Sequence, residues 1–231
     1  MERYSQRPYL PPPGATELIV LRHGASATAV PGEPFPLVEG QSDPPLAPAG
    51  VLQARLAAER LAEERPAGVF ITPLRRTAET AVPLAELTGH EPVVVPDLRE
   101  IHVGELEGGL FRISVEDGDE LIKRLLAEER WEVIPGAETS EALGRRVRAG
   151  AEHVVAAVGP DAAAVVVTHG GVIAELCRQA TGSRPFAFLR ADNASITRIV
   201  ITADGSWLLR SFNDSAHLGV AAGDPPSHPR P

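Results

Sequence analysis

The chain contains little cysteine, little lysine and no long apolar segment. Cys177 is the one cysteine among 231 residues, which excludes an internal disulfide and leaves no thiolate cluster for zinc. The N-terminal residues lack an apolar signal core, and aliphatic runs such as 18–21 are too short to span a bilayer. We therefore expect a cytoplasmic protein without a membrane partner.

Acidic side chains outnumber basic ones, 31 to 22, and the formal net charge is −9. Nucleic-acid-binding domains normally present a basic face, so this balance argues against a nucleic-acid partner. Lys123 is the one lysine, and the other basic residues are arginines. Arginine suits bidentate contacts to phosphate, although biased codon usage explains the same excess. Any positive potential must therefore be local.

Length and composition predict one sizeable domain between two proline-rich ends. The hydrophobic fraction of 43% and the charged fraction of 23% are ordinary for a globular protein. The prolines of residues 1–15 predict an extended N-terminal tail, and those near the other end predict a disordered tail over 218–231. We expect a single domain over residues 16–217, and its self-association into a homodimer remains open.

Within this domain, short aliphatic runs alternate with amphipathic stretches, as in a sheet whose strands are joined by crossover helices. The pattern predicts strands at 17–21, 69–72, 93–95, 163–168, 195–202 and 207–212, and helices at 49–64, 73–87, 116–129, 140–158 and 170–181. The predicted fold class is α/β, a three-layer α/β/α sandwich around a mostly parallel mixed sheet.

Polar clusters follow three of the predicted strands, and the first is Arg22-His23-Gly24. In open α/β sheets ligands bind at the carboxyl ends of the strands. A neutral imidazole can attack phosphorus as a covalent nucleophile, and an adjacent arginine suits a phosphoryl substrate. The glycine would let the backbone approach a ligand closely. A solvated polar strand end explains the same residues, so this cluster alone decides nothing.

The second cluster, Thr72 with Arg75 and Arg76, begins a helix, where free backbone amides and the helix dipole favour an anion. An arginine at this position can clamp a phosphoryl group through two charge-assisted hydrogen bonds. Paired arginines also suit a solvated helix face, which is the alternative interpretation.

The third cluster is Thr168-His169, followed by the glycine pair at 170–171. A metal site built from His23, His102 and His169 is the competing function. We do not favour the metal site, because the sequence has no H-x-x-H or H-E-x-x-H spacing and no cysteine partner.

A glycine-punctuated loop over 98–108 supplies the carboxylates Glu100, Glu105 and Glu107. Hydrolysis through a phosphohistidine needs a proton donor for the leaving oxygen and then a base for water, and one carboxyl group can perform both steps. Composition leaves open which of the three is that group.

In order along residues 17–217, these segments resemble the histidine phosphatase superfamily, also called the phosphoglycerate-mutase-like family. The matching blocks are Leu21-Arg22-His23-Gly24, Gly40 with Asp43-Pro44-Pro45-Leu46, Thr72 to Thr80, Leu98 to Gly108, and Thr168-His169-Gly170-Gly171. An isolated R-H-G is weak evidence, whereas five blocks in the family's order are specific.

The resemblance implies phosphoryl transfer to a histidine, with cationic groups binding the equatorial oxygens of the phosphoryl group. The residues implied are His23 as nucleophile, Glu100 as acid and then base, and Arg22, Ser26, Arg76, His169 and Gly170 as phosphate-binding groups, of which Arg22, Arg76 and His169 also stabilise the developing charge. Cationic neighbours should keep the nucleophile neutral. The substrate would be a small phosphorylated molecule, and no metal or organic cofactor is required.

The chain departs from the family pattern in the phosphate pocket and after the acid. Family members often have asparagine six residues after the nucleophile, and here that position is Ala29. Cofactor-dependent mutases carry a lysine soon after the acid and a longer insertion, whereas residues 109–114 contain no lysine. The segment 135–139 and the pair Asn213 and His217 resemble phosphatase-type members.

These comparisons favour a phosphatase, with mutase-type transfer and a non-catalytic phosphate-binding homologue as alternatives. We expect a small helical cap insertion over about 109–136 to set the substrate, which the sequence does not name. The candidates for its mouth are Phe111, Arg112, Lys123, Arg130 and Trp131. For most of them we favour the alternative that they only pack the cap, as Trp131 and Leu125 would.

Overall fold

A six-stranded mixed sheet organises the chain, as predicted. The computed structural model describes residue 6 and residues 8–219. The strands are β1 (Thr16–Arg22), β2 (Leu37–Val38), β3 (Gln41–Ser42), β4 (Gly68–Ile71), β5 (Val93–Val94), β6 (Ala162–Thr168), β7 (Ile196–Ile201) and β8 (Trp207–Asp214). The sheet runs in the order β5-β4-β6-β1-β7-β8, while β2 and β3 pair separately. The first four strands in this order are parallel to one another. Strand β7 is antiparallel to β1, and β8 is antiparallel to β7.

Helices cover both faces of the sheet and make the predicted three layers. They are α1 (Pro48–Ala62), α2 (Arg75–Thr88), α3 (Leu110–Glu116), α4 (Glu120–Glu128), α5 (Ser140–Val158) and α6 (Gly170–Thr181). Successive side chains of a strand point to opposite faces. In β1, Ile19 and Leu21 join the apolar layer beneath α1 and α2, whereas Leu18 and Val20 join the layer with α5 and α6. Burial on both faces explains why this strand is a continuous apolar run.

The helix predicted at 116–129 begins too early: α4 starts at Glu120, and a separate helix that was not predicted, α3, ends at Glu116. Gly118 adopts φ 64 between α3 and α4, a left-handed conformation that glycine tolerates best. Asp119 then caps α4, since its side chain accepts a hydrogen bond from the backbone N–H of Leu121 at 2.7 Å. These two helices and a 3₁₀ turn at Trp131–Val133 occupy the predicted cap region, 109–136.

Residues just outside the predicted domain bounds of 16 and 217 contact the folded body. Ala15 is buried, and its carbonyl accepts from the backbone N–H of Asp161 at 2.8 Å. Gly14 donates its N–H to the Asp161 carboxylate at 2.7 Å. At the other end, Leu218 is buried in the apolar layer under α1 and α2. The disordered tail was predicted over 218–231, and residues 220–231 of it lie outside the described residues. No helix in the described part of the chain is long and apolar enough to cross a membrane.

Candidate active site

A cavity of about 240 Å³ opens at the carboxyl ends of the central strands. It gathers residues from the first two strand-end clusters, the glycine pair that follows the third, the loop after β5 and the cap; His169 itself is not among the wall residues. The polar residues of its wall are Arg22, His23, Gln41, Ser42, Arg76, Glu100, Glu107 and Arg112, and glycines 109, 170 and 171 complete that side. The apolar residues are Phe35, Pro44, Leu74, Ile101, Val103, Leu106, Phe111, Trp131 and Leu189. The predicted clusters therefore meet at one site.

His23 has one ring nitrogen committed to the backbone and the other directed at an arginine. Its Nδ1 lies 2.8 Å from the carbonyl oxygen of Gly24, which can only accept, so Nδ1 carries the hydrogen. The Nε2 atom therefore has a lone pair. Arg76 Nε lies 3.3 Å from it and donates a hydrogen bond. This tautomer presents Nε2 as the nucleophilic nitrogen.

The environment of His23 favours the neutral imidazole. Its side chain is buried, and its pKa lies well below 6.5, because of burial first and then because of the positive charges of Arg76 and Arg22. The sequence predicted the effect of the cationic neighbours, and the structure adds burial as the larger cause. At neutral pH the lone pair on Nε2 is therefore available without removal of a proton.

Of the two adjacent arginines, Arg76 enters the site and Arg75 does not. Arg76 is buried, and its Nη1 donates to the backbone carbonyl of Ser42 at 2.8 Å. Burial lowers the pKa of Arg76 to about 10, so the guanidinium stays charged at neutral pH. Arg75 begins α2 on the outside and forms a solvent-exposed ion pair with Glu79. The register inferred from the resemblance agrees with this geometry.

Among the three candidate carboxylates, Glu100 has the geometry of a group held at the cavity wall. It accepts hydrogen bonds from the backbone N–H of Ile101 at 3.0 Å and of Gly171 at 3.1 Å. A Cβ at position 171 would lie 2.7 Å from Glu100 Oε1, so only glycine allows this approach. Arg146 Nη2 and Gln41 Nε2 both donate to the Glu100 backbone carbonyl. The two backbone N–H groups hold the carboxylate, and the Arg146 and Gln41 side chains hold the backbone of Glu100.

The other two carboxylates have different surroundings. Glu105 is exposed and lies outside the cavity wall. Glu107 lines the cavity, but its oxygens accept hydrogen bonds from the backbone N–H of Ser42 at 2.7 Å and of Val103 at 3.0 Å. Glu107 also accepts from the Ser42 hydroxyl. We infer that Glu107 fixes the loop and that Glu100 is the better candidate for proton transfer.

His169 and Arg22 flank the nucleophile. The His169 ring is fully buried, its centroid lies 5.2 Å from that of His23, and its Nε2 lies 2.9 Å from Thr72 Oγ1. Burial is the first cause that lowers the pKa of His169, and Arg76 is the second. Arg22 lines the cavity and donates to the backbone carbonyl of Ala191.

The remaining predicted phosphate-binding residues, Gly170 and Ser26, lie in different positions. Gly170 lines the cavity at the start of α6, where a Cβ would lie 3.6 Å from Arg22 Nε. Ser26 is not part of the cavity wall, and its Oγ accepts a hydrogen bond from Arg112 Nη2 at 2.7 Å. Ser26 therefore reaches the site through an arginine of the cap.

Gly24 has a different role from the one expected. The sequence suggested a close approach to a ligand, but a Cβ at this position would lie 2.5 Å from the carbonyl oxygen of Gly50. The two glycines let the segment after β1 touch the start of α1 backbone to backbone. Gly24 also donates its N–H to Thr80 Oγ1 at 3.0 Å, which ties the segment to α2.

Sequence reasoning missed the loop 191–194, which holds the backbone of the nucleophile. Asn193 Nδ2 donates to the His23 carbonyl at 3.0 Å. Asn213 Oδ1 accepts from the N–H of Asp192 at 2.6 Å, and His217 Nε2 lies 3.0 Å from the Ala194 carbonyl. The sequence signal that could have indicated this loop was the pair Asn213 and His217, which resembles phosphatase-type members. They act by fixing this loop.

The alternative three-histidine metal site does not assemble in the described residues, which contain no group of three histidine, cysteine, aspartate or glutamate side chains placed to hold a metal ion. His102 Nδ1 instead accepts the N–H of Gly104 at 3.1 Å. Cys177 is buried, and burial raises the pKa of its thiol to about 12, as expected for a structural residue.

Comparisons with known proteins agree with this geometry. Residues 18–215 match the family model described as the histidine phosphatase superfamily (branch 1). A metal-independent phosphoserine phosphatase of Arabidopsis thaliana is 32% identical over 206 residues, covering 88% of this chain and 83% of that protein. A probable phosphoglycerate mutase of Yersinia enterocolitica is 28% identical over 214 residues, covering 90% and 97%. The solved structure of a mycobacterial glucosyl-3-phosphoglycerate phosphatase superposes with a TM-score of 0.71 at 31% identity, covering 87% of this chain and 100% of that one.

Proposed function

Because the chain belongs to the histidine phosphatase superfamily, we propose that it hydrolyses phosphomonoesters through a phosphohistidine on His23, without a metal ion. The observation that supports this most directly is the state of His23. Its Nδ1 is held by the Gly24 carbonyl, and burial and nearby arginines keep its ring neutral. A nucleophile in the required protonation state therefore lies in a cationic cavity.

In the first step, His23 Nε2 attacks phosphorus, a P–N bond forms and the P–O bond to the alcohol breaks. Arg22, Arg76 and His169 stabilise the charge on the equatorial oxygens. Glu100 gives its proton to the leaving oxygen, so that a neutral alcohol departs and a carboxylate remains.

In the second step, the Glu100 carboxylate takes a proton from water, and the water oxygen attacks phosphorus. The P–N bond breaks and its electron pair returns to His23 Nε2. Inorganic phosphate leaves, and the enzyme regains a neutral imidazole and a protonated Glu100. The cycle consumes one water for each ester and leaves all groups in their starting state.

The cavity supports a phosphatase over a mutase. A mutase acting on a phosphorylated acid must hold a second anionic group of its substrate. The arginines in the described cavity wall are Arg22, Arg76 and Arg112, and the rest of the wall is largely apolar, with Phe111 and Trp131 from the cap. Apart from these arginines, the wall offers the rest of a substrate mainly apolar side chains, which favours an alcohol without a second anion.

Turnover of phenyl phosphate and of 3-phosphoglycerate by the full chain tests this proposal. We expect both to release inorganic phosphate at rates that a metal chelator does not change. We also expect 3-phosphoglycerate, with or without its bisphosphate activator, to be hydrolysed faster than it is isomerised.

Loss of turnover on addition of chelator would replace the histidine mechanism with a metal-dependent one. Isomerisation faster than hydrolysis would make the chain a mutase. Phosphate binding without turnover of either ester would make it a non-catalytic binding protein.

A further inference from the structure

Arg112 brings a third guanidinium to the cavity, from helix α3 of the cap. Its Nη1 donates to the Ala27 carbonyl at 2.9 Å and its Nη2 to Ser26 Oγ at 2.7 Å. Its Cζ lies 5.5 Å from the centre of the Phe35 ring. A guanidinium has five N–H donors, so three remain after these two hydrogen bonds. The contacts orient the group and leave most of its donors for a ligand.

The charge of Arg112 is not neutralised by an ion pair. No carboxylate in the described part of the chain lies within 4.0 Å of it, whereas Arg124 and Arg130 of the same cap both pair with Glu128. The pKa of Arg112 is lowered, by desolvation first and then by the like charge of Arg22. Arg112 also opposes the positive charge of Arg76. Arg22, Arg76 and Arg112 line the same cavity, and a phosphoryl dianion bound among them would offset their mutual repulsion.

Two small residues allow α3 to approach the segment after β1. Gly109 precedes α3 with φ 100, and a Cβ there would lie 3.0 Å from the Phe35 ring and 3.2 Å from the Ala29 Cβ. A longer side chain at position 29 would meet the same backbone. The small size of Ala29 and Gly109 therefore places Arg112 within reach of Ser26.

Building on the phosphatase function proposed above, we propose that Arg112 binds the transferred phosphoryl group itself, rather than a second anionic group of the substrate. Its two hydrogen bonds are to Ala27 and Ser26, in the segment that follows the nucleophile, and they hold the guanidinium on that side of the cavity. The cap thus contributes to phosphate binding and not only to the choice of alcohol.

The test compares Arg112→Ala and Arg112→Lys with Arg124→Ala, a control at an exposed arginine of the same cap. The measurements are kcat/KM for phenyl phosphate and 3-phosphoglycerate, and the inhibition constant of inorganic phosphate. We expect Arg112→Ala to lower kcat/KM about 10- to 100-fold on both esters and to weaken phosphate inhibition. We expect Arg112→Lys to recover part of the loss, and Arg124→Ala to change kcat/KM less than about twofold.

A loss confined to 3-phosphoglycerate would overturn the proposal, because it would assign Arg112 to the carboxylate of that substrate. An unchanged inhibition constant for phosphate, or an equal loss in Arg124→Ala, would overturn it as well. Absence of turnover in the wild type would instead refute the proposed phosphatase function. In that case, calorimetric binding of inorganic phosphate to the wild type and to Arg112→Ala still decides the role of Arg112, with weaker binding by the variant expected.

Discussion

Replacing Glu100 with glutamine is expected to slow steady-state turnover of alkyl phosphates by about 10²- to 10⁴-fold, the usual contribution of a general acid and base. Glutamine keeps the size of the side chain but can neither give a proton to the leaving oxygen nor take one from water. An alkyl alcohol needs that proton, whereas 4-nitrophenolate leaves without it. In Glu100→Gln, rapid mixing with 4-nitrophenyl phosphate should therefore still show a burst of nitrophenol, followed by slow turnover limited by hydrolysis of the phosphohistidine.

Matched variants of the two neighbouring carboxylates make this result specific. Glu105→Gln is expected to leave both phases unchanged, because Glu105 is exposed and outside the cavity. Glu107→Gln is expected to lower thermal stability, since Ser42 and Val103 donate to Glu107. Equal losses of the burst and of steady-state turnover in Glu100→Gln, with a preserved burst in Glu107→Gln, would transfer the acid and base role to Glu107.

Replacing Arg76 with alanine is expected to lower kcat by about 10²- to 10³-fold, as for removal of a donor that stabilises transition-state charge. Arg75→Ala is expected to change kcat less than about twofold, because an exposed ion pair contributes little. Arg76→Ala should also raise the pKa of His23, since Arg76 is the second cause that lowers it. The acid limb of the kcat/KM profile should therefore move to higher pH, which a loss of packing alone would not produce.

Arg76→Lys provides the control for folding, because it keeps the charge but loses the planar fork. We expect it to retain the low pKa of His23 while recovering only part of kcat. If Arg75→Ala lowers kcat more than Arg76→Ala, in proteins of equal thermal stability, then Arg75 and not Arg76 binds the phosphoryl group.

Local pattern was sufficient to predict much of the fold. The buried strands β1 and β6 were visible as continuous apolar runs, and the bounds of α5 and α6 agree with the prediction. The start of the helix predicted at 116–129 was placed too early because Gly118 breaks the chain direction and Asp119 caps α4, which begins at Glu120. The short segments Gly14 to Ala15 and Leu218 lack a periodic pattern, and only their tertiary contacts include them in the body.

The site was predictable where its residues follow strands, and less so where it depends on contacts between distant segments. Arg22, His23 and His169 could be located from the strand ends, and the resemblance distinguished Arg76 from Arg75. No local signal connects Asn193 with the carbonyl of a residue 170 positions earlier. Likewise, the sequence shows alanine at position 29 in place of the family's asparagine, but only the packing of the cap shows that Ala29 lies against Gly109.

The proposed mechanism requires His23 to carry the phosphoryl group during turnover. The most direct test is to mix the protein with a labelled phosphoester, denature it rapidly and map the labelled peptide. The denaturation must avoid acid, because the P–N bond is labile to acid. We predict acid-labile label on the peptide that contains His23, more of it in Glu100→Gln, and none in His23→Ala. An actively hydrolysing wild type that never carries label on this peptide, or a His23→Ala variant with unchanged turnover, would contradict the account.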